Sequence, residues 1–234
     1  MWDNYTRLFR LANTLLWLAG FLVLLAGANW LINSSFFPVR YIDIQGHLEK
    51  VTQEQLRYIA KNELRGTFFT LDIDQIRQSF EKLPWVKAVH LHRRWPDKLA
   101  VDIVEHQAIA RWDNNGLVDT TGEWFDAATN ERLPILVGPA RSEKIMATIL
   151  PSLIQSIRPL GLEISRVELT QRGAWRIVLS NNVFLELGGC DKNLLKKRVA
   201  LFAEHWPDIL NKNTSVRYVD MRYLDGFAVN ALSK

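Results

Sequence analysis

Cysteine is nearly absent from this sequence, because Cys190 is the single cysteine among 234 residues. A lone thiol cannot form an internal disulfide, so the cysteine count does not indicate a compartment. The sequence also lacks the G-x-S-x-G and H-E-x-x-H motifs and any glycine loop with the spacing of a phosphate or dinucleotide site. The hydrolase, zinc-protease and nucleotide-binding classes that short motifs identify are therefore not indicated.

Charge is absent from residues 11–39, and the centre of this run, residues 14–32, is almost wholly apolar. As a helix, this centre would span roughly 29 Å, close to the hydrocarbon thickness of a bilayer. A cleaved signal peptide is the alternative, but the run exceeds the apolar region of about 7 to 15 residues that is typical of one. We therefore predict a transmembrane helix at residues 11–33, after a short cytoplasmic tail at residues 1–10.

The charges that flank the apolar run predict its orientation. Arg7 and Arg10 precede it, whereas Arg40 alone follows it closely. Because positive residues tend to stay on the cytoplasmic side, this asymmetry predicts a cytoplasmic N-terminus and a type II, single-pass topology. The rest of the chain is then expected outside the cytoplasm.

The periodicity changes directly after the apolar run. Residues 39–45 alternate between apolar and polar, which predicts a β-strand. Two helix N-caps follow, at Thr52 and at Asp72, each with a glutamine three residues later and with apolar residues at helical spacing. Pro84 is expected to end the second of these helices.

Two more alternating runs, at residues 86–93 and 98–105, flank the connector W-P-D and predict a β-hairpin. The apolar residues of the second run share one face, which can cover the two helices. The order strand, helix, helix, strand, strand is similar to the layout of a POTRA domain. We assign this domain to residues 38–106.

Motifs in both halves of the chain resemble one bacterial family. They are G-T-F-F-T-L-D, L-P-W-V-K-A-V, R-R-W-P-D-K-L and V-E-H-Q-A-I-A-R-W in the POTRA region, and Y-V-D-M-R-Y near the C-terminus. In these motifs the chain resembles the FtsQ/DivIB family of cell-division proteins. The resemblance implies an α+β fold with a single N-terminal transmembrane helix, the POTRA domain, and a mostly antiparallel β-sheet domain with flanking helices at residues 107–234.

The second region has its own pattern of short strands separated by turns rich in asparagine and glycine. We expect strands at residues 109–112, 116–120, 124–127, 165–169, 175–180, 183–187, 216–223 and 227–232. A helical stripe between residues 145 and 157 contains Pro151, which must break or kink it, so one helix or two stay open. Asp191 is expected to cap a further helix that buries Leu195, Val199, Phe202 and Trp206.

The last predicted strand, residues 227–232, is expected at a sheet edge. A free edge exposes unpaired backbone groups, which are either guarded or used to recruit another chain by strand addition. Neither proline nor dense charge guards this strand, which favours recruitment. The resemblance implies that the edge receives the periplasmic part of FtsB, itself joined to FtsL, through Arg172, Arg222, Tyr223, Asp225 and Gly226. The unguarded edge strand adds Phe227 and Ala228 to the predicted partner-binding residues. The alternative is that these residues serve only sheet packing and surface charge.

The hairpin tip carries Arg93 and Arg94, for which several interpretations stay open. They can form a solvated turn, contact a protein partner, or attract anionic lipid or nucleic acid, although an exported domain would not meet nucleic acid. The basic run K-K-R at residues 196–198 is interpreted in the same way, with a solvated helix face favoured. The resemblance implies that the POTRA domain recruits the protein through FtsK, and we place that face on the strand with Val89, Leu91 and Arg93.

We predict no metal, no cofactor and no catalytic residue. His90 and His92 share one face of a predicted strand, but zinc usually needs at least three protein ligands, and no further ligand stands at suitable spacing. Cys190 has no partner base that the sequence identifies.

Three classes of function remain. The resemblance implies an essential, non-enzymatic scaffold at the division septum of the inner membrane, with its C-terminal domains in the periplasm. Such a scaffold links early and late division proteins through FtsB and FtsL and helps control septal peptidoglycan synthesis. A POTRA-bearing chaperone or secretion subunit is the second class, although no repeat of the domain is visible. An envelope hydrolase, with carboxylates that only folding brings together, is the third.

Overall fold

The structure is a computed structural model that describes residues 5–34, 36–63, 66–113, 115–212, 216–223 and 226–231. The chain forms two compact units, one up to Glu105 and the other from His106. Helix α1, Tyr5–Asn33, begins earlier than the uncharged run. Its segment Phe9–Asn33 has a mean hydropathy of 2.1 and is long and apolar enough to cross a membrane. The single apolar helix predicted near the N-terminus is therefore present.

The first unit continues with the element order that the sequence predicts. The elements are β1 (Tyr41–Gln45), α2 (Gln53–Glu63), α3 (Ile73–Glu81), β2 (Val86–Arg94) and β3 (Lys98–Glu105). The sheet order is β1-β3-β2, with β1 parallel and β2 antiparallel to β3. This β-α-α-β-β arrangement confirms the predicted POTRA layout, and it leaves both β1 and β2 at sheet edges.

Local sequence signals explain where the two short helices begin. Thr52 and Gln55 form a reciprocal capping box, since the Gln55 amide donates to the Thr52 hydroxyl and the Thr52 amide donates to Gln55 Oε1 at 3.0 Å. The Asp72 carboxylate accepts from the Gln75 amide at 3.0 Å. The helices pack on one face of the sheet. There Leu99, Val101 and Ile103 of β3, which the sequence predicted to face the helices, are buried together with Leu56, Ile76 and Phe80.

The second unit is built on one sheet. Its elements are β4 (Ala108–Trp112), β5 (Leu117–Asp119), β6 (Trp124–Phe125), β7 (Ile135–Val137), α4 (Glu143–Ile157), β8 (Ile164–Leu169), β9 (Ala174–Leu179), β10 (Phe184–Gly189), α5 (Lys192–Lys212), β11 (Val216–Asp220) and β12 (Ala228–Ala231). In the described residues the strand order is β12-β11-β10-β9-β8-β7-β4-β5-β6. The pairs β7 with β4, β7 with β8 and β10 with β11 are parallel, and the others are antiparallel. The expected mostly antiparallel sheet is confirmed.

Helices α4 and α5 form the core of this unit together with the sheet. Asp191 caps α5 as predicted, because its carboxylate accepts from the Leu194 amide at 2.7 Å. The four apolar residues expected to face inward from α5 are buried. Pro151 lies inside α4, which is one continuous helix rather than two. The sheet and its two helices thus fix where the strand ends lie.

Candidate functional site

Several residues predicted to bind a partner meet at one end of the sheet. Arg172 is exposed in the turn between β8 and β9, and Gly189, at the end of β10, pairs with Ala174, at the start of β9. Arg222 and Tyr223 follow the end of β11, and residues 226–228 lead into β12. We call this end, formed by Arg172, Gly188, Arg222, Tyr223 and residues 226–228, the sheet corner. Asp225, which the resemblance also implied, lies outside the described residues.

Arg222 is held against the end of β11 by its own carboxylate neighbour. Its Nε donates to both oxygens of Asp220, at 2.9 and 3.0 Å, and its Nη2 donates to Oδ2 at 2.6 Å. The Arg222 amide also donates to Asp220 Oδ1, and this hydrogen bond turns the backbone. Strand β11 therefore ends at Asp220, three residues before the strand end predicted at Tyr223. The guanidinium holds the pKa of the Asp220 carboxyl below its usual range.

Gly188 allows the Arg222 side chain to lie close to β10. Its φ is +66°, which favours glycine, and an added Cβ would come within 2.9 Å of Arg222 Cγ. The irregularity in the β9–β10 register falls at the same point, between Glu186 and Gly188. Gly188, near the end of β10, therefore has a packing role at the sheet corner.

Arg198, on α5, fixes the backbone of the sheet corner. The sequence favoured a solvated helix face for the run K-K-R, and that interpretation is wrong at Arg198. Its side chain is buried, with Nη2 donating to the Arg222 carbonyl at 2.8 Å and Nη1 donating to the Leu187 carbonyl. Helix α5 thereby connects the ends of β10 and β11. The sequence contains a signal for this burial, because position 198 lies three residues after Leu195, inside the apolar stripe of the helix.

Tyr223 is the large aromatic side chain that the sheet corner exposes. Its exposed fraction is 58%, whereas the Phe227 ring makes an edge contact with His205 at 5.7 Å and packs partly against the core. Gly226 is half-buried and Ala228 is exposed. Of the two aromatic residues predicted to bind a partner, Tyr223 therefore exposes more surface than Phe227 does.

Among the described residues, β12 forms one edge of the sheet, as the sequence predicted. The Met221 amide donates to Glu186 on β10, so residues 219 and 221 direct their backbone groups to β10 and Asp220 directs its own to β12. Ala228 lies opposite Asp220, and therefore pairs with β11. Alternation then leaves the N–H and C=O groups of Val229 pointing away from the sheet. Ala228 itself contributes its exposed side chain, not a free backbone donor.

The sheet face opposite α4 and α5 carries a row of paired charges beside the corner. Arg176 forms ion pairs with Glu186 at 2.9 Å and with Glu168 at 3.4 Å. The hydrogen bond from Arg176 to Glu186 raises the pKa of the arginine, and burial raises the pKa of the neighbouring Tyr218. These pairs balance charge on the face. At the corner, the Arg222 guanidinium is exposed but paired with Asp220, and Arg172 adds a second exposed cation.

The residues predicted for the recruitment face lie in the POTRA domain of the first unit. Their side chains differ from one another in burial and in contacts. Val89 is 3% exposed and belongs to the core, and Leu91 is half-buried against it. Arg93 is exposed, yet its Nη2 donates to the Leu71 carbonyl at 2.7 Å. Since β2 is an edge strand, a partner can reach its backbone, but the Val89 side chain is not available for contact.

Three groups in the second unit lie close enough to hold a metal ion. Ligand atoms of His106, Asp119 and Glu123 all lie within 4.8 Å of one another. Asp119 is fully buried, however, and its oxygens already accept from Thr121, from the Glu123 amide and from His106 Nδ1 at 3.1 Å. The His106 ring also stacks on Phe125 at 4.1 Å. The arrangement favours a structural polar cluster, which the sequence did not reveal.

Comparisons with known proteins agree with the fold. The FtsQ-type POTRA domain family matches residues 37–106, and the C-terminal domain family of the cell division protein FtsQ/DivIB matches residues 110–222. A protein named cell division protein FtsQ from Nitrosospira multiformis is 35% identical over 234 residues, covering 97% of this chain and 98% of the relative.

Two further relatives carry the same name. The one from Neisseria gonorrhoeae is 32% identical over 98% of this chain and 94% of its own length. The one from Aliivibrio fischeri is 31% identical over 92% of this chain and 83% of its own length. The layout of an apolar helix, a POTRA domain and a mixed sheet domain agrees with these matches, and the chain belongs to the FtsQ/DivIB family of cell division proteins.

Proposed function

We propose that this protein is a non-enzymatic scaffold of the division septum in the inner membrane. Its β domain binds FtsB, and through FtsB also FtsL, by strand addition to β12. This contact links early and late division proteins and helps control septal peptidoglycan synthesis. The observation that supports the proposal best is the free edge of β12, with backbone groups that point away from the sheet beside the exposed ring of Tyr223.

Each part of the sheet corner has a distinct role in this proposal. The outward backbone groups of Val229 provide register, because strand addition is held by main-chain hydrogen bonds. Tyr223 provides buried area, as aromatic residues often do at the centre of interfaces. Arg172 provides positive charge for an acidic side chain of the partner. Arg222 is already paired with Asp220, so we expect it to position Tyr223 more than to bind FtsB directly.

Replacing Tyr223 with alanine is expected to weaken FtsB binding by about 2 kcal/mol, roughly thirtyfold. The reason is the loss of an exposed ring that the partner would bury. Isothermal titration calorimetry, in which the periplasmic part of FtsB is added to the full chain in detergent, measures this loss of affinity.

Tyr58→Ala is the matched control for that titration, since Tyr58 is an exposed tyrosine on α2 of the other unit. Its affinity is expected to equal that of the wild type. Equal affinity of the wild type and Tyr223→Ala, with both folded by circular dichroism, would place the partner elsewhere. No binding by the wild type would reject the proposed function itself.

The proposed orientation puts the N-terminus in the cytoplasm and residues from 34 onward in the periplasm. Arg7 and Arg10 before the apolar helix support it. A reporter enzyme that is active only after export, fused behind Lys234, is expected to be active. A fusion behind Arg10 is the control and should stay inactive, and the reverse pattern would refute the orientation.

The POTRA domain is proposed to meet FtsK along the edge strand β2. Because Val89 is a core residue, a bulky change there would test folding rather than recruitment. His90 and His92 are exposed on this strand and are better positions for substitution.

A further inference from the structure

The start of β1 and the turn of the β2–β3 hairpin lie side by side at one end of the POTRA unit. Tyr41, the first residue of β1, pairs with Lys98, the first residue of β3. The amides of Arg40 and Tyr41 both approach the Asp97 carbonyl, at 2.9 and 3.4 Å. Trp95 therefore stands beside the point where the chain enters the domain.

The same end contacts the last turn of α1. The connector between α2 and α3 provides the link, because the Thr67 hydroxyl donates to the Ile32 carbonyl at 2.9 Å. The Phe68 amide donates to the Phe37 carbonyl at 2.8 Å. Arg93 ties the hairpin to this connector through the Leu71 carbonyl. The end of the apolar helix, the connector and the hairpin turn are thus neighbours.

Exposed aromatic side chains are concentrated at this end. Trp95 is 75% exposed, and Phe36, Tyr41 and Phe69 are exposed as well. Trp30, in α1, makes an edge contact with Phe36 at 6.4 Å, which continues the aromatic group onto the apolar helix. Tryptophan and tyrosine are enriched where membrane meets water, because their rings are apolar and their polar groups can stay hydrated.

Positive charge accompanies these rings. Arg40, Arg94 and Lys98 are exposed, and the Lys98 ammonium lies 5.7 Å from the centre of the Tyr41 ring. The carboxylates nearby are fewer or already accept hydrogen bonds, since Asp97 is half-buried, Asp72 caps α3, and the exposed Asp43 accepts from the Gln45 side chain. Basic side chains near a bilayer are attracted to anionic lipid phosphates.

We propose that this end of the POTRA domain rests on the bilayer that α1 crosses. We call it the membrane-facing tip, formed by Phe36, Arg40, Tyr41, Phe69, residues 94–95 and Lys98. Its aromatic rings enter the interfacial layer and its basic groups contact the phosphates of anionic lipids. The inference rests on the membrane anchoring stated under Proposed function. It gives the hairpin tip a role in setting the orientation of the domain on the membrane.

The test uses the full chain in lipid nanodiscs, with Cys190→Ser as background and one introduced cysteine that carries an environment-sensitive dye. The tip is labelled through Trp95→Cys. His47→Cys is the matched control, because His47 is highly exposed and follows the opposite end of β1. Leu24→Cys, in α1, reports whether the helix is in the bilayer.

In nanodiscs that contain phosphatidylglycerol, we expect the dye at position 95 to shift its emission to the blue and to lose intensity to spin-labelled lipids. The dye at position 47 should keep the emission it has in water. Adding Arg94→Glu and Lys98→Glu, or replacing phosphatidylglycerol with phosphatidylcholine, should reduce the quenching at position 95. High salt should do the same, because the Debye length falls to about 3 Å at 1 M.

Emission at position 95 that matches position 47, while position 24 is quenched, would overturn the inference and favour a protein partner for the tip. Quenching at position 95 that is equal in both lipids and unaffected by charge reversal would overturn the role of the phosphates. Absence of quenching at position 24 would instead show that the anchoring itself fails.

Discussion

The Arg198→Met variant is expected to lose about 2 to 4 kcal/mol of unfolding free energy, because two carbonyls lose a charged donor. These are the Leu187 carbonyl at the end of β10 and the Arg222 carbonyl beyond β11. Methionine keeps most of the aliphatic volume, so the loss reports the hydrogen bonds rather than a cavity. Thermal unfolding of the full chain in detergent, followed by circular dichroism, measures it.

Lys197→Met is the control for charge and for helix propensity, since Lys197 is exposed on the same helix. We expect its unfolding temperature to stay near that of the wild type. A stability of Arg198→Met equal to that of Lys197→Met would show that the buried guanidinium is dispensable.

A second readout separates a positioning role of Arg198 from a purely global one. If Arg198 holds Tyr223 in place, Arg198→Met should weaken FtsB binding in the wild-type background but have little further effect once Tyr223 is alanine. Equal losses in both backgrounds would indicate that Arg198 acts on stability alone. This double-mutant comparison isolates the coupling between the two side chains.

The POTRA fold could be predicted because its local signals agree with one another. The two capping residues, the proline after α3 and the alternation of β3 all indicate the same order of elements, and each is found in the structure. Short-range chemistry was sufficient where it matched the tertiary arrangement.

Strand β7 shows why other elements could not be predicted. It has only three residues, Ile135–Val137, and it is parallel to both of its neighbours. A short strand inside a sheet is a brief apolar run with no alternation to detect. The buried pair of His106 and Asp119 was missed for a related reason, because the two residues stand on different segments that only folding brings together.

The sheet corner was predicted in part. The edge position of β12 was predicted, and the described residues place β12 at one end of the strand order. The direction of each backbone group does not follow from the sequence, because it depends on the register between β10, β11 and β12. Thus the sequence placed Ala228 among the partner-binding residues without fixing the direction of its amide, and its register position opposite Asp220 directs that amide to β11.

Val229→Pro is expected to weaken FtsB binding by about 3 kcal/mol, roughly a hundredfold. Proline removes the outward N–H of the edge strand, leaves a carbonyl of the incoming strand unpaired, and places its ring where that strand would approach. Calorimetric titration with the periplasmic part of FtsB measures the change.

Two matched variants show whether the edge itself is responsible. Val229→Ala keeps the N–H and removes part of a half-buried side chain, so it should bind within a fewfold of wild type. Ala228→Pro removes a bond to β11 instead, so it should lower thermal stability along with affinity. Affinity of Val229→Pro equal to that of Val229→Ala, with both proteins folded, would mean that FtsB does not add a strand to β12. The loss expected for Tyr223→Ala would then have to come from side-chain contacts alone.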